Sequence, residues 1–196
     1  MKKMSTTSLI AIYTITFGVL TAADVVSTFW ATHGGEGQEF NPVVATDAGH
    51  LHLERLLTLN GVVFLLTAGM FAWALGRLDR IDQRYLETPE RAMFNYFYFN
   101  PFSPKIMPKS VLHFLAVPPT IIGMKALAAF NNSLIALGVP DLITPLAKLS
   151  HAAVGAEWAY WPVIIVLFHI IWWPALRLSA GFVRGDAARA PAPALA

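Results

Sequence analysis

The residue with the largest chemical consequence is Asp24, which places a carboxylate inside the apolar run Leu9–Trp30. Such a side chain is costly in lipid, so it normally faces other helices with a partner and marks an ion pathway, a substrate site or a structural ion pair. Thr14, Gly18, Thr21, Asp24 and Thr28 recur at intervals of three and four, which on a helix makes one small, polar stripe turned toward neighbouring helices. For a chain entering from the cytoplasm, Asp24 lies about 9 Å from the outer end of its run. Lys125, 14 residues beyond Val111 in another apolar segment, stands at nearly the same depth and is the natural counter-charge. Asn60 enters from the outside, about 6 Å down its own segment, and can join the cluster. Three readings stay open. The pair fixes helix packing, or it forms a proton, ion or substrate site in the outer half of the membrane, or Lys125 snorkels alone.

Other candidates lie in the outer loop, which carries Glu36, Glu39, Asn41-Pro42, Asp47, His50, His52 and Glu54. In a strand, His50, His52 and Glu54 project to one side and could share a cation. On a helix, His50 and Glu54 share a face and His52 does not. The competing reading is a solvated or interfacial segment. His169 falls near the middle of the last apolar run, beside Phe168, Trp172 and Trp173. It can serve as a single axial ligand to a haem or pigment, or as a hydrogen-bonded structural histidine. His113 lies at a different depth, so the two would not clamp one haem. The chain has no cysteine, which excludes disulfides, thiolate nucleophiles and Cys-ligated metal centres. It contains no P-loop, dinucleotide fingerprint, HExxH or GxSxG pattern, and the sequence names no cofactor beyond these options.

The elements that must position these residues are set by composition. Hydrophobic residues make up 56% of the chain and charged residues 13%, about half the charge of a soluble domain. Only lipid removes the need for a polar surface. Four segments approach the ~20 residues that a helix needs to span a bilayer: 9–30, 56–75, 111–130 and 158–178. In hydrocarbon each must satisfy its backbone internally, so each is a helix. The fold class expected is an all-α polytopic bundle forming one domain over 1–186, with an Ala/Pro-rich disordered tail over 187–196. The first run is long enough to span rather than to act as a cleaved signal.

Eleven Lys and Arg residues fall on one side of these spans and two, Arg55 and Lys148, on the other. The bias places both termini in the cytoplasm. Arg77–Glu90 reads as a solvated helix continuing from the second span. Phe94–Phe102, rich in Phe and Tyr, reads as interfacial. Pro118-Pro119 interrupts the third helix, and Pro140–Val154 reads as a short helix lying on the membrane. Trp158, Tyr160 and Trp161 at one end of the fourth span, and Trp172 and Trp173 toward the other, read as aromatic belts.

Asp24-Val25-Val26-Ser27-Thr28, then Gly34-Gly35, then Glu39-Phe40-Asn41-Pro42 resembles the D-x-x-x-T…G…E-x-N-P pattern of the DUF5658 family of small bacterial membrane proteins. The resemblance covers residues 9 to about 75 and leaves 76–196 outside it. It implies that Asp24, Glu39 and Asn41 belong to one site beside the membrane surface. It implies no reaction.

The chain has short loops and no soluble catalytic domain. The leading expectation is therefore a non-catalytic accessory or assembly subunit of a larger complex in the bacterial inner membrane. Its partners would be the lipid bilayer and other membrane subunits or itself; a net charge of +2 is too small to suggest nucleic acid. The alternative is a membrane-embedded enzyme or transporter built on Asp24, Lys125, Glu39 and Asn41. A haem or pigment carrier through His169 is the third.

Overall fold

A computed structural model describes residues 5–33, 39–46, 51–81, 83–89, 107–156 and 158–187. Helices account for about 83% of the structure and no strand occurs among the described residues. In order these are α1 (Thr6–His33), α2 (Leu53–Leu75), a single 3-10 turn (Leu78–Arg80), α3 (Gln83–Glu87), α4 (Met107–Ala136), α5 (Ile143–Val154) and α6 (Tyr160–Ala187). Among the described residues, four helices are long and apolar enough to cross a bilayer: Thr6–His33, Leu53–Leu75, Val111–Ala136 and Tyr160–Gly185. Large apolar side chains point outward, Leu65 and Leu178 each 70% exposed, on faces that water would penalise and lipid accepts. The chain is a multi-pass helical membrane protein.

The spans are longer than composition alone suggests. The third reaches Ala136 rather than 130, because Asn131 and Asn132 continue the helix instead of ending it. Gly138, at φ +67°, then terminates it. Its amide bonds the Ile135 carbonyl at 2.9 Å and the Val139 amide bonds the Leu134 carbonyl at 3.0 Å, the pattern of a left-handed helix cap.

Helix α4 is the centre of the bundle and packs against α1, α6 and α2. Pro118 and Pro119 lie inside it without breaking it, contrary to the expected interruption. A proline removes one N–H and leaves the carbonyl four residues earlier without its donor. For Pro119 that carbonyl belongs to Leu115, and Ser179 Oγ of α6 donates to it at 3.3 Å. A neighbouring helix thus replaces the lost bond, as membrane helices with internal proline require. Farther along, Gly123 lets α6 approach: a Cβ there would lie 2.5 Å from Ile171 Cγ2.

The segment after α2 also departs from expectation. Helix α2 stops at Leu75 and Gly76 caps it, its amide bonding Ala72 O at 3.2 Å. The chain turns back because Ile81, Tyr85 and Leu86 are buried, which a straight solvated helix would leave in water. They join a dry cluster with Leu75, Leu112, Leu115, Trp172, Leu176 and Val183. The expected surface helix is α5, three residues shorter at its start. Phe94–Phe102 and residues 188–196 lie outside the described residues.

Candidate functional site

Three spans meet at the Lys125 ammonium. Helix α4 carries it between α1 and α2, where Nζ donates to Asn60 Oδ1 of α2 and lies 3.5 Å from Asp24 Oδ2 of α1. It also sits 5.1 Å from the centre of the Phe17 ring, within cation–π range. Both charged side chains are largely buried, at 9% and 13% exposure for Lys125 and Asp24. The expected pairing therefore exists as a close contact, and Asn60 belongs to it. The Asp24 contact is longer than the 2.7–2.9 Å or so typical of a charge-assisted bond, so Asn60 is the closer partner. Two buried polar atoms nearby, Asn60 Nδ2 and Thr21 Oγ1, find no hydrogen-bond partner among the described residues.

The polar stripe continues toward the loop end. The Thr28 hydroxyl donates to Asp24 O at 2.7 Å and accepts from Asn132 Nδ2 at 2.7 Å, which ties α1 to α4. Above the pair, α1 and α4 part around a half-open cavity of about 1080 Å³. Asp24, Thr28, Asn131, Asn132 and Tyr160 line it, and Glu39, Phe40 and Asn41 cover one side.

The covering loop is held by its own sequence. The Asn41 amide donates to Glu39 Oε1 at 2.8 Å. Asn41 Oδ1 accepts from the Val43 amide at 3.0 Å, and the Asn41 carbonyl accepts from the amides of Val44 and Ala45 at 3.1 and 3.0 Å. Pro42 supplies the fixed φ that such a turn favours. Val44 is 1% exposed, plugged between Leu51 and Leu56 with Val25 and Leu59 against it, and Phe40 meets the Tyr160 ring edge-on at 5.6 Å. Asn41 thus shapes the loop, and Glu39 is the carboxylate that the loop presents. Burial pushes the Glu39 carboxyl above the ordinary glutamate range and the Asp24 charge pushes the same way, while the amides of Asn41 and Phe40 pull against both.

Asp141, on the rim, differs. Burial opposes its charge, but the amide and hydroxyl of Thr144, the Ile143 amide and the Asn131 side chain outweigh that effect and hold it below the usual carboxylate range. With Asn131 Oδ1, which accepts from the amides of Leu142 and Ile143 at 2.9 and 3.0 Å, it caps α5.

The remaining candidates lie apart. His52 is the N-cap of α2, and its Nδ1 accepts from the Arg55 amide at 3.5 Å; Glu54 is in the first turn beside it. His50 lies outside the described residues. Among the described residues, no group of three or more His, Asp or Glu side chains comes close enough to hold a metal ion. His169 is half-buried, its Nδ1 2.6 Å from Ile165 O, so that nitrogen is engaged with its own helix. Its ring lies 6.3 Å from Trp172, which the buried His113 meets from elsewhere at 5.2 Å.

Tyr160, Asn131 and Asn132 were not legible as site residues. Tyr160 reads as one of several belt aromatics, and the two asparagines fall beyond the end of the expected span. The available signal was an Asn-Asn pair followed by Ser-Leu-Ile-Ala, which continues a helix rather than ending it. Compared with sequence families, curated proteins and solved structures, the chain matches none of them.

Proposed function

We propose that this chain is a membrane-embedded solute-binding protein, of the transporter or enzyme class, whose site is the cavity above the Asp24–Lys125 pair. The observation that carries this reading is the convergence of Asp24, Glu39, Asn132 and Tyr160 around one half-open space. Buried ionisable groups in a span mark functional sites more often than chance packing does, and a concave pocket with a few convergent polar groups is the ordinary form of a ligand site. The D-x-x-x-T…E-x-N-P resemblance implies a site that includes two of these residues, Asp24 and Glu39. The eleven-to-two distribution of basic residues supports cytoplasmic positions for both termini, so the cavity opens on the outer side; the resemblance supports a bacterial inner membrane.

The test is thermal unfolding of the purified protein in nonionic detergent against a panel of small cations, neutral solutes and anions. At least one class should stabilise the protein, and Ala128→Trp, which places a ring in the cavity, should abolish the effect. Stabilisation by no member of the panel overturns the reading.

A second reading, the accessory subunit, is favoured by one observation. Gly61 and Gly69 sit on the outer face of α2 with open space above them, beside Leu57 and Leu65, which are also exposed. Small residues on a lipid-facing helix admit close approach of another helix. Copurification in mild detergent tests it.

A further inference from the structure

The cavity's chemistry narrows what it can hold. We infer that it receives an ammonium group, either a free organic cation or the amine of a lipid headgroup, with Asp24 and Glu39 as counter-charges and Phe40 and Tyr160 as an aromatic corner. This rests on the reading of the cavity as a ligand site.

Charge comes first. The lining contains three carboxylates, Asp24, Glu39 and Asp141, and one amino group, Lys148. Lys125 lies beneath, hydrogen-bonded to Asn60 and only 3.5 Å from one Asp24 oxygen. It steadies Asp24 without closing it off. An incoming anion would face Asp24 and Glu39 with few donors to receive it. Asn132 Nδ2 donates to Thr28, and the Asn131 side chain accepts from the α5 amides through its oxygen and donates to Asp141.

Among cations, a bare metal ion fits poorly. It needs several oxygen ligands close together, and no group of three acidic or imidazole side chains approaches that spacing among the described residues. With Asp141 committed to the amides of Ile143 and Thr144, Asp24 and Glu39 are left as counter-charges for a larger, diffuse cation. Beside Glu39, the Phe40 and Tyr160 rings stand edge-to-face with centres 5.6 Å apart. Carboxylates next to aromatic faces are the arrangement that recognises ammonium ions. The rest of the wall includes Ala128, Ile135 and Ile164, which suit the alkyl substituents of an amine, and the volume of about 1080 Å³ exceeds what an inorganic ion requires.

The experiment is a binding titration of the full chain in lipid-free nonionic detergent. Choline is the probe, and 3,3-dimethyl-1-butanol is its uncharged isostere. Choline should bind at least tenfold more tightly than the isostere. Glu39→Gln and Tyr160→Leu should each weaken choline several-fold, and Tyr160→Phe, which keeps the ring, should not. Neither Glu39 nor Tyr160 belongs to the buried ion pair, so these variants can lose binding without losing the fold. A second arm uses vesicles of phosphatidylethanolamine or phosphatidylglycerol. Preferential retention of phosphatidylethanolamine, lost in Glu39→Gln, identifies the lipid amine as the source and supports the inference. Equal binding of choline and its isostere, or stabilisation only by neutral solutes or anions, overturns the ammonium assignment and leaves the cavity a ligand site. Binding of no probe in either arm, together with a silent solute panel, overturns both.

Discussion

The two ends of this bundle are built from the same helices and held together by opposite means. Where α2 ends and α6 finishes, Leu75, Leu112, Leu115, Trp172, Leu176 and Val183 close a dry core, with Ile81, Tyr85 and Leu86 folded back against it. Where α1 ends and α6 begins, the contacts are polar: Lys125 to Asn60 and Asp24, Asn132 to Thr28, Asn131 to α5. In lipid, burial of apolar surface does not drive helices together, because lipid is as apolar as leucine. Close packing can still be gained at either end, and the difference is that one end gives it up around a cavity.

The largest effect should come from the ion pair. Asp24→Asn or Lys125→Met leaves the other charge buried and uncompensated, at a cost of about 3–5 kcal/mol, less where the survivor can neutralise or reach water. The double variant should recover much of that loss, because an apolar pair is often as stable as the ion pair it replaces. Thermal unfolding of the three variants in detergent decides it. A double variant equal to the sum of the singles means that the residues do not interact.

The dry end offers the next test. Leu112→Ala or Leu176→Ala, each buried to within 1%, should cost about 2–5 kcal/mol through lost packing and the cavity left behind. Neither should change solute binding at the other end. A change in affinity would mean that the two ends are coupled and the comparison is too simple. Between them, Gly123→Ala should cost about 1–3 kcal/mol through overpacking, since the added carbon meets the branched Cγ2 of Ile171 rather than the tip of a flexible chain.

The sequence made the fold and half of the site legible, for one reason. Asp24 and Lys125 stand out because lipid makes any charge conspicuous, and helix rise converts their positions into depths. Asn60 was placed by the same arithmetic. Tyr160 and Phe40 could not be found this way, since an aromatic near a membrane surface has an ordinary role there. The turn after α2 was hidden by its charges. Arg77, Asp79, Arg80 and Arg84 read as a solvated helix, while the apolar residues that decide its path, Ile81, Tyr85 and Leu86, need a partner surface made by α6 and invisible in local periodicity. The prolines of α4 failed as a helix signal because Ser179, 60 residues beyond Pro119, supplies the missing donor.

Acidity separates the fold from the site. Glu39 is pushed above the ordinary glutamate value of 4.5 by burial and by Asp24, with the Tyr160 ring and the Asn41 amide as its other neighbours. The fold therefore disfavours its charged form. As pH falls through the raised value, Glu39 takes up a proton before the unfolded chain does, and stability should rise until the unfolded value is reached. Cation binding needs the carboxylate and should fall over the same window, by about tenfold if the contact contributes about 1.4 kcal/mol. Glu39→Gln should remove both trends. Stability and affinity moving in the same direction would show that another group controls the response.

The smallest effect tests whether the hydrogen bond across α4 and α6 at the dry end contributes to stability. Ser179 Oγ donates to Leu115 O at 3.3 Å, and that carbonyl lacks its helical donor because Pro119 has no N–H. Ser179→Ala should therefore cost about 0.6 kcal/mol, the average for such bonds between membrane helices. The control lies in the same helix. Pro119→Ala returns an amide to the position four residues after Leu115, so the carbonyl no longer needs Ser179. In that background Ser179→Ala should cost nothing measurable, and the coupling between the two substitutions should equal the single loss. A cost for Ser179→Ala that persists without Pro119 would locate the serine's contribution in its packing between α4 and α6 rather than in the hydrogen bond to Leu115 O.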